Sequence, residues 1–253
     1  LLEDGTIFIS FRGTDNTLIG WKENFNMSYQ TPVPAQGEAL SYLEKVGLYF
    51  STPLRVGGVS KGGNLAVYAS AFCSPTVQGR ILSVYNNDGP GFHSWVLNTH
   101  GFNQIASRLH TFIPQSSVVG MLLEHSEEFI VIQSNQQGLL QHDPFSWIVM
   151  GRAFIHLDSV DSSSIYIDKA LTSWIATLEP QKREEFIDVI FNIISSTGVK
   201  NLKEFTDNWL KNSLVILDTF KSLDNDSKEL IRLTFRNLAK ASIKSLPKLL
   251  IKD

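Results

Sequence analysis

The sequence predicts an α/β protein: a mainly parallel sheet flanked by helices, followed by a C-terminal all-helical extension. Three observations carry that reading. Short, often β-branched apolar runs bounded by Gly, Pro, Asn or Asp recur through the first half; apolar residues at helical spacing lie between them; and from about Ser162 onward only the helical spacing remains. Strands are expected over residues 6–11, 54–59, 80–86, 110–113 and 128–133. Helices are expected over 35–50, where Leu40, Leu43, Val46 and Leu48 supply the apolar face, and over 64–72. Strands that alternate with helices make a parallel sheet covered on both faces.

In the last third, Leu171, Trp174, Ile175 and Leu178, and then Phe186, Val189, Ile190, Ile193 and Ile194, repeat at helical spacing. Further helices are expected over 202–220 and 227–243, with breaks at Glu179-Pro180, Thr197-Gly198 and Asp224-Asn225-Asp226. The expected organisation is therefore a core over 1–160 and a helical extension over 161–253. The first strand of the core is expected to be cut short, since Leu1-Leu2 and Glu3-Asp4-Gly5 read as the end of a hairpin.

The chain has 253 residues, 43% of them hydrophobic and 19% charged, which is enough to bury a sizeable core. A net charge of -3 gives no electrostatic reason to expect nucleic acid as a partner. The single cysteine, Cys73, lies in an apolar run and excludes an internal disulfide, which fits a reducing compartment such as the cytoplasm. No stretch is long and apolar enough to predict an integral membrane segment, although the helical extension leaves peripheral membrane contact open. Neither paired histidines at metal-ligand spacing nor a CxxC occur, so no metal and no cofactor are expected.

The chemistry is expected at Gly58-Val59-Ser60-Lys61-Gly62. A serine hydroxyl becomes a useful nucleophile only beside a base and only where an acyl carbonyl can reach it. A GxSxG corner between a strand and a helix provides the exposure, because the two glycines let strand and helix pass closely. Here an apolar strand precedes the motif and a helical run follows it, the context of an α/β-hydrolase nucleophile elbow. One oxyanion donor is then the backbone NH of Lys61. The second is expected from the loop after the first strand, Phe11-Arg12-Gly13-Thr14-Asp15, where Thr14 offers an NH and a hydroxyl.

In this fold the base follows the last core strands. Of six histidines His142 fits best, after the 128–133 strand and before Asp143-Pro144; His156 is the runner-up. For the acid, Asp88 follows the 80–86 strand, with Glu124 and Asp143 as alternatives.

Phe11-Arg12-Gly13-Thr14, Trp21 and Gly58-Val59-Ser60-Lys61-Gly62-Gly63 resemble class 3 lipases over roughly residues 6–147. The added segments Gly20-Trp21-Lys22-Glu23-Asn24-Phe25-Asn26-Met27, Asn87-Asp88-Gly89-Pro90-Gly91 and Gln141-His142-Asp143-Pro144-Phe145-Ser146-Trp147 resemble, more closely, a bacterial lipase-like α/β-hydrolase family related to them. The resemblance implies Ser60 as nucleophile, His142 as base, and Thr14 and Lys61 as the oxyanion hole. Class 3 lipases carry their aspartate after the strand that here reads 110–113, where this chain has Pro114-Gln115-Ser116-Ser117, and an acidic residue where Asn24 stands. The expected activity is hydrolysis of a small-molecule or lipid carboxylic ester through an acyl-enzyme. Acyl transfer and thioester hydrolysis would use the same residues, and the contrasting expectation is a non-catalytic binding or scaffold protein on this fold.

Overall fold

The computed structural model describes residues 1–15, 17–201, 204 and 207–245. A six-stranded sheet runs in the order β1 (Ile7–Phe11), β2 (Leu54–Val59), β3 (Ile81–Asn87), β4 (Leu109–Pro114), β5 (Phe129–Ile132) and β8 (His156–Leu157). The first five strands are parallel and β8 is antiparallel to β5. Between β5 and β8, β6 (Val149–Met150) and β7 (Ala153–Phe154) form a separate two-stranded pair. All five expected strands are present, and the fold is α/β with helices at the C-terminal end.

Parallel pairing requires a crossover between successive strands, and helices supply most of them. The chain passes from β1 to β2 through α1 (Leu18–Asn26) and α2 (Pro34–Tyr49), and from β2 to β3 through α3 (Lys61–Phe72) and α4 (Pro75–Gln78). Between β3 and β4 lie α5 (Ser94–Leu97) and α6 (His100–Ile105). Pro34 starts α2 where its missing N–H costs nothing, and Gln36 closes the first turn by accepting from the Val33 NH at 2.9 Å. The core gathers Leu43 of α2, Leu54 and Val56 of β2, Val67 of α3 and Ile81 of β3, all essentially removed from water. Helix α3 is buried along nearly its whole length, as expected of the helix that must pack directly on the central strands.

The chain divides into two compact units, one comprising Leu1–Gly13 and Thr31–Asp168, the other Thr14–Gln30 and Lys169–Asp253. The division thus falls after Asp168, and the helical unit takes in an N-terminal segment that its periodicity had not joined to it. The later helices are α7 (Ser162–Ile175), α8 (Pro180–Ser195), α9 (Trp209–Ser222) and α10 (Asn225–Ser245). Residues 202, 203, 205 and 206 of the helix expected over 202–220 lie outside the described residues. Within the helical unit α1 packs on α8: Phe25 meets Phe191 at 5.7 Å between ring centroids, and Lys22 pairs with Asp188 at 2.7 Å. Helix α10 also packs on α8, with Phe235 edge-on to Phe186. Among the described residues no helix is long and apolar enough to cross a membrane.

Candidate active site

The corner between β2 and α3 is built for close approach. Ser60 has φ 57° and ψ -132°, a left-handed backbone that a non-glycine residue adopts only under local constraint. The constraint comes from hydrogen bonds on both sides: the Ser60 NH donates to Asn87 O at 2.9 Å, and the Gly63 NH donates to Ser60 O at 2.9 Å. The glycines two before and two after have no room for a side chain. A Cβ on Gly58 would sit 2.3 Å from the Gly62 carbonyl carbon, and one on Gly62 would sit 2.2 Å from Phe11 O. The end of β1 is therefore pressed against the elbow, a constraint additional to the strand–helix crossing. Ser60 itself is half-buried, and Lys61 begins the helix, so its backbone NH lies in the first turn, at the end of the helix that faces the corner.

Directly after β3, Asp88 turns the chain with φ 51°, a conformation a short polar side chain tolerates better than a bulky one. Its carboxylate is 1% exposed and fully engaged. Oδ1 accepts from the Ser117 hydroxyl at 2.5 Å and from the Gly120 NH at 3.1 Å, and Oδ2 accepts from His142 Nδ1 at 2.6 Å. An ionised carboxylate only accepts, so the Nδ1 proton is fixed on that side of the ring and Nε2 of the neutral imidazole is the acceptor. The ring is 32% exposed, so this nitrogen has access to the surface. Among the described residues no hydrogen bond joins His142 to the Ser60 hydroxyl; such contacts commonly tighten when substrate binds.

The loops that bring these groups together are tied by polar residues that sequence reading did not single out. Gln141, beside His142, accepts from the Ser116 NH at 2.9 Å and donates to Gln136 O at 3.0 Å, while Trp147 Nε1 donates to Gln141 O at 2.8 Å. His142 thus ends a short 3-10 turn, Gly138–His142, locked to the loop after β4. In α3, buried Asn64 donates to Pro90 O at 3.0 Å and Gly91 O at 2.9 Å and accepts from Gln36 Nε2 at 2.8 Å, which ties the Asp88 loop to the elbow helix. The one sequence hint was the run Gln115-Ser116-Ser117, polar donors and acceptors at the position where a carboxylate was missing.

Asp143, Glu124 and His156 take part in none of these contacts. Asp143 is exposed and caps the next turn through the Phe145 NH, Glu124 is exposed and pairs through its backbone with Phe92, and His156 is exposed on β8. Thr14 lies in the second unit, where its hydroxyl donates to Asn24 Oδ1 at 2.8 Å. Asn24 thus accepts the Thr14 hydroxyl proton where class 3 lipases have a carboxylate.

A second carboxylate–imidazole pair lies in the same unit as Asp88. Glu127 Oε1 meets His125 Nδ1 at 3.2 Å and accepts from the Thr111 hydroxyl at 2.6 Å. Burial pushes the Glu127 carboxyl up, but the hydrogen bonds from His125 and Thr111 outweigh it and hold the group below its ordinary range. His125 is 6% exposed, and among the described residues its Nε2 has no hydrogen-bond partner. Cys73 is buried, and burial together with nearby Glu44 pushes its thiol up to about 12, so it is no nucleophile at neutral pH. Among the described residues no group of three or more His, Cys, Asp or Glu is placed to hold a metal ion.

A mainly parallel sheet, a serine on a strained strand-to-helix corner and an imidazole held by a buried carboxylate define the class: a lipase-like α/β-hydrolase. The pattern of the Mbeg1-like family matches residues 1–192, which include the elbow, the Asp88 turn and the His142 loop, and the chain belongs to that family. No curated protein and no solved structure matches it.

Proposed function

We propose that the chain is a serine hydrolase of carboxylic esters, small-molecule or lipid, working through an acyl-enzyme. The observation that carries the reading is the 2.6 Å contact between His142 Nδ1 and buried Asp88, which leaves Nε2 as a proton acceptor on a surface-accessible ring. His142 takes the Ser60 proton as Oγ attacks the ester carbonyl. The Lys61 NH, with the Thr14 NH as the expected second donor, holds the oxyanion. Collapse expels the alcohol, which takes its proton from His142. Water, deprotonated by the same imidazole, then attacks the acyl-Ser60 ester; the acid leaves and the serine is restored. Acyl transfer would use the same steps with another acceptor in place of water. The scaffold alternative drew on the missing carboxylate after β4, and Asp88 supplies one from the preceding turn.

The test is labelling with a fluorophosphonate, which reacts quickly only with an activated serine. Wild type should label, and Ser60→Ala should not. His142→Ala and Asp88→Asn should slow labelling and turnover of a soluble ester by about 10⁴-fold. An inert wild type with an unfolding midpoint typical of a folded domain would sink the hydrolase reading.

A further inference from the structure

Helix α10 carries Lys228, Arg232, Arg236, Lys240 and Lys244, a cation every fourth residue. Four residues exceed one helical turn by about 40°, so the five cations form one slowly winding ridge. Its opposite side, with Ile231, Thr234 and Ala241, is buried. Arg232, Arg236, Lys240 and Lys244 are exposed, and among the described residues no ion pair engages them. The only acids on the helix, Asp226 and Glu229, lie in its first turns. The outward side also shows large apolar groups, Ile243 at 65% exposure and Leu233 at 37%. Where α9 ends, Lys221 joins Lys228, Glu229, Arg232, Leu233 and Arg236 around a recess of about 760 Å³, four cations to one carboxylate.

This concentration of positive charge stands in a chain of net charge -3. A merely solvated face mixes signs, as α8 does with its Lys182–Glu185 pair. A nucleic-acid surface gains from cations and aromatic stacking, but Ile243 and Leu233 give a base nothing to stack on. Cations interleaved with aliphatic side chains match the boundary between anionic headgroups and acyl chains.

We propose that the outward side of α10 docks the protein on an anionic lipid surface, independently of the chemistry at Ser60. The test is co-sedimentation of the full chain with phosphatidylcholine vesicles, with and without phosphatidylserine. Wild type should sediment with the anionic vesicles only and detach as salt is raised to about 1 M, where the screening length falls to about 3 Å. Each cation removed should weaken partitioning roughly fivefold, so Arg232→Gln/Arg236→Gln should weaken it roughly 25-fold. Ile243→Ser should weaken it severalfold while keeping the salt dependence. Both variants should keep the wild-type unfolding midpoint and fluorophosphonate labelling, and Ser60→Ala should sediment as wild type does, which separates this outcome from the fate of the hydrolase reading. Equal sedimentation with neutral vesicles, no sedimentation with either, or variants that bind like wild type would overturn the proposal. So would tighter binding to a labelled DNA duplex than to anionic vesicles.

Discussion

Two carboxylate–imidazole pairs share one unit of this protein and differ in what they leave free. Asp88 is buried while His142 stays one-third exposed, so the pair presents a nitrogen with fixed proton placement to the surface. The side chains of His125 and Glu127 are only 6% and 10% exposed, and the outer nitrogen of His125 ends inside the protein. A carboxylate beside a histidine is therefore not what marks a candidate base; the exposure of the second ring nitrogen is. The first pair is read as chemistry and the second as a clasp between the start of β5 and Thr111 of β4.

The largest effect should fall on the first pair. Asp88→Asn should cut ester turnover by about 10⁴-fold, whereas Glu127→Ala should change it less than about tenfold; equal losses would break the distinction. Glu127→Ala should instead lower stability by about 2–3 kcal/mol, read from denaturant midpoints, because it leaves Thr111 and His125 without their buried acceptor. That loss should depend on pH. Glu127 has the ordinary value of 4.5 in the unfolded chain and a lower one when folded, so the unfolded state takes up the proton first. Its contribution is whole above pH 4.5 and lost as pH falls through the folded value, and the gap between wild type and Glu127→Ala should close in acid.

Smaller effects sharpen the same contrast. Ser117→Ala removes one of the three donors on Asp88 and should lower kcat about tenfold with little change in KM, while Ser117→Thr restores it. A fall in stability without a kcat effect would make Ser117 structural only. Smallest of all, Cys73 should resist iodoacetamide at neutral pH until the chain is unfolded; rapid labelling of the folded protein would contradict its burial.

The sheet was legible because each strand is an apolar run closed by turn residues, and the elbow because its glycines sit between a strand and a helix. Asp88 was legible by its place just after a core strand, and His142 by its place in a loop before Asp143-Pro144. Strands β6, β7 and β8 were not, since two residues, mostly exposed, carry no periodicity. Helix α1 was missed because it is only 9 residues long, and Leu18, Trp21 and Phe25 span too short a run for a helical period to stand out. Ser117, Gln141 and Asn64 escaped for another reason: their roles depend on loops meeting across the sheet's end, and nothing local distinguishes a serine that reaches a buried carboxylate from one that faces water.

The span of the Asp88–His142 contact has a consequence for the order of events during synthesis. The elbow and Asp88 lie within 30 residues of each other, but the ring that Asp88 holds lies 54 residues further on, beyond β4, β5 and the turns that carry Ser117 and Gly120. A ribosome-bound chain that has exposed Ser60 and Asp88 carries the serine without the His142 loop. Under the proposed chemistry the nucleophile stays dormant on every partial chain, and reactivity begins only when the last loop of the sheet has closed.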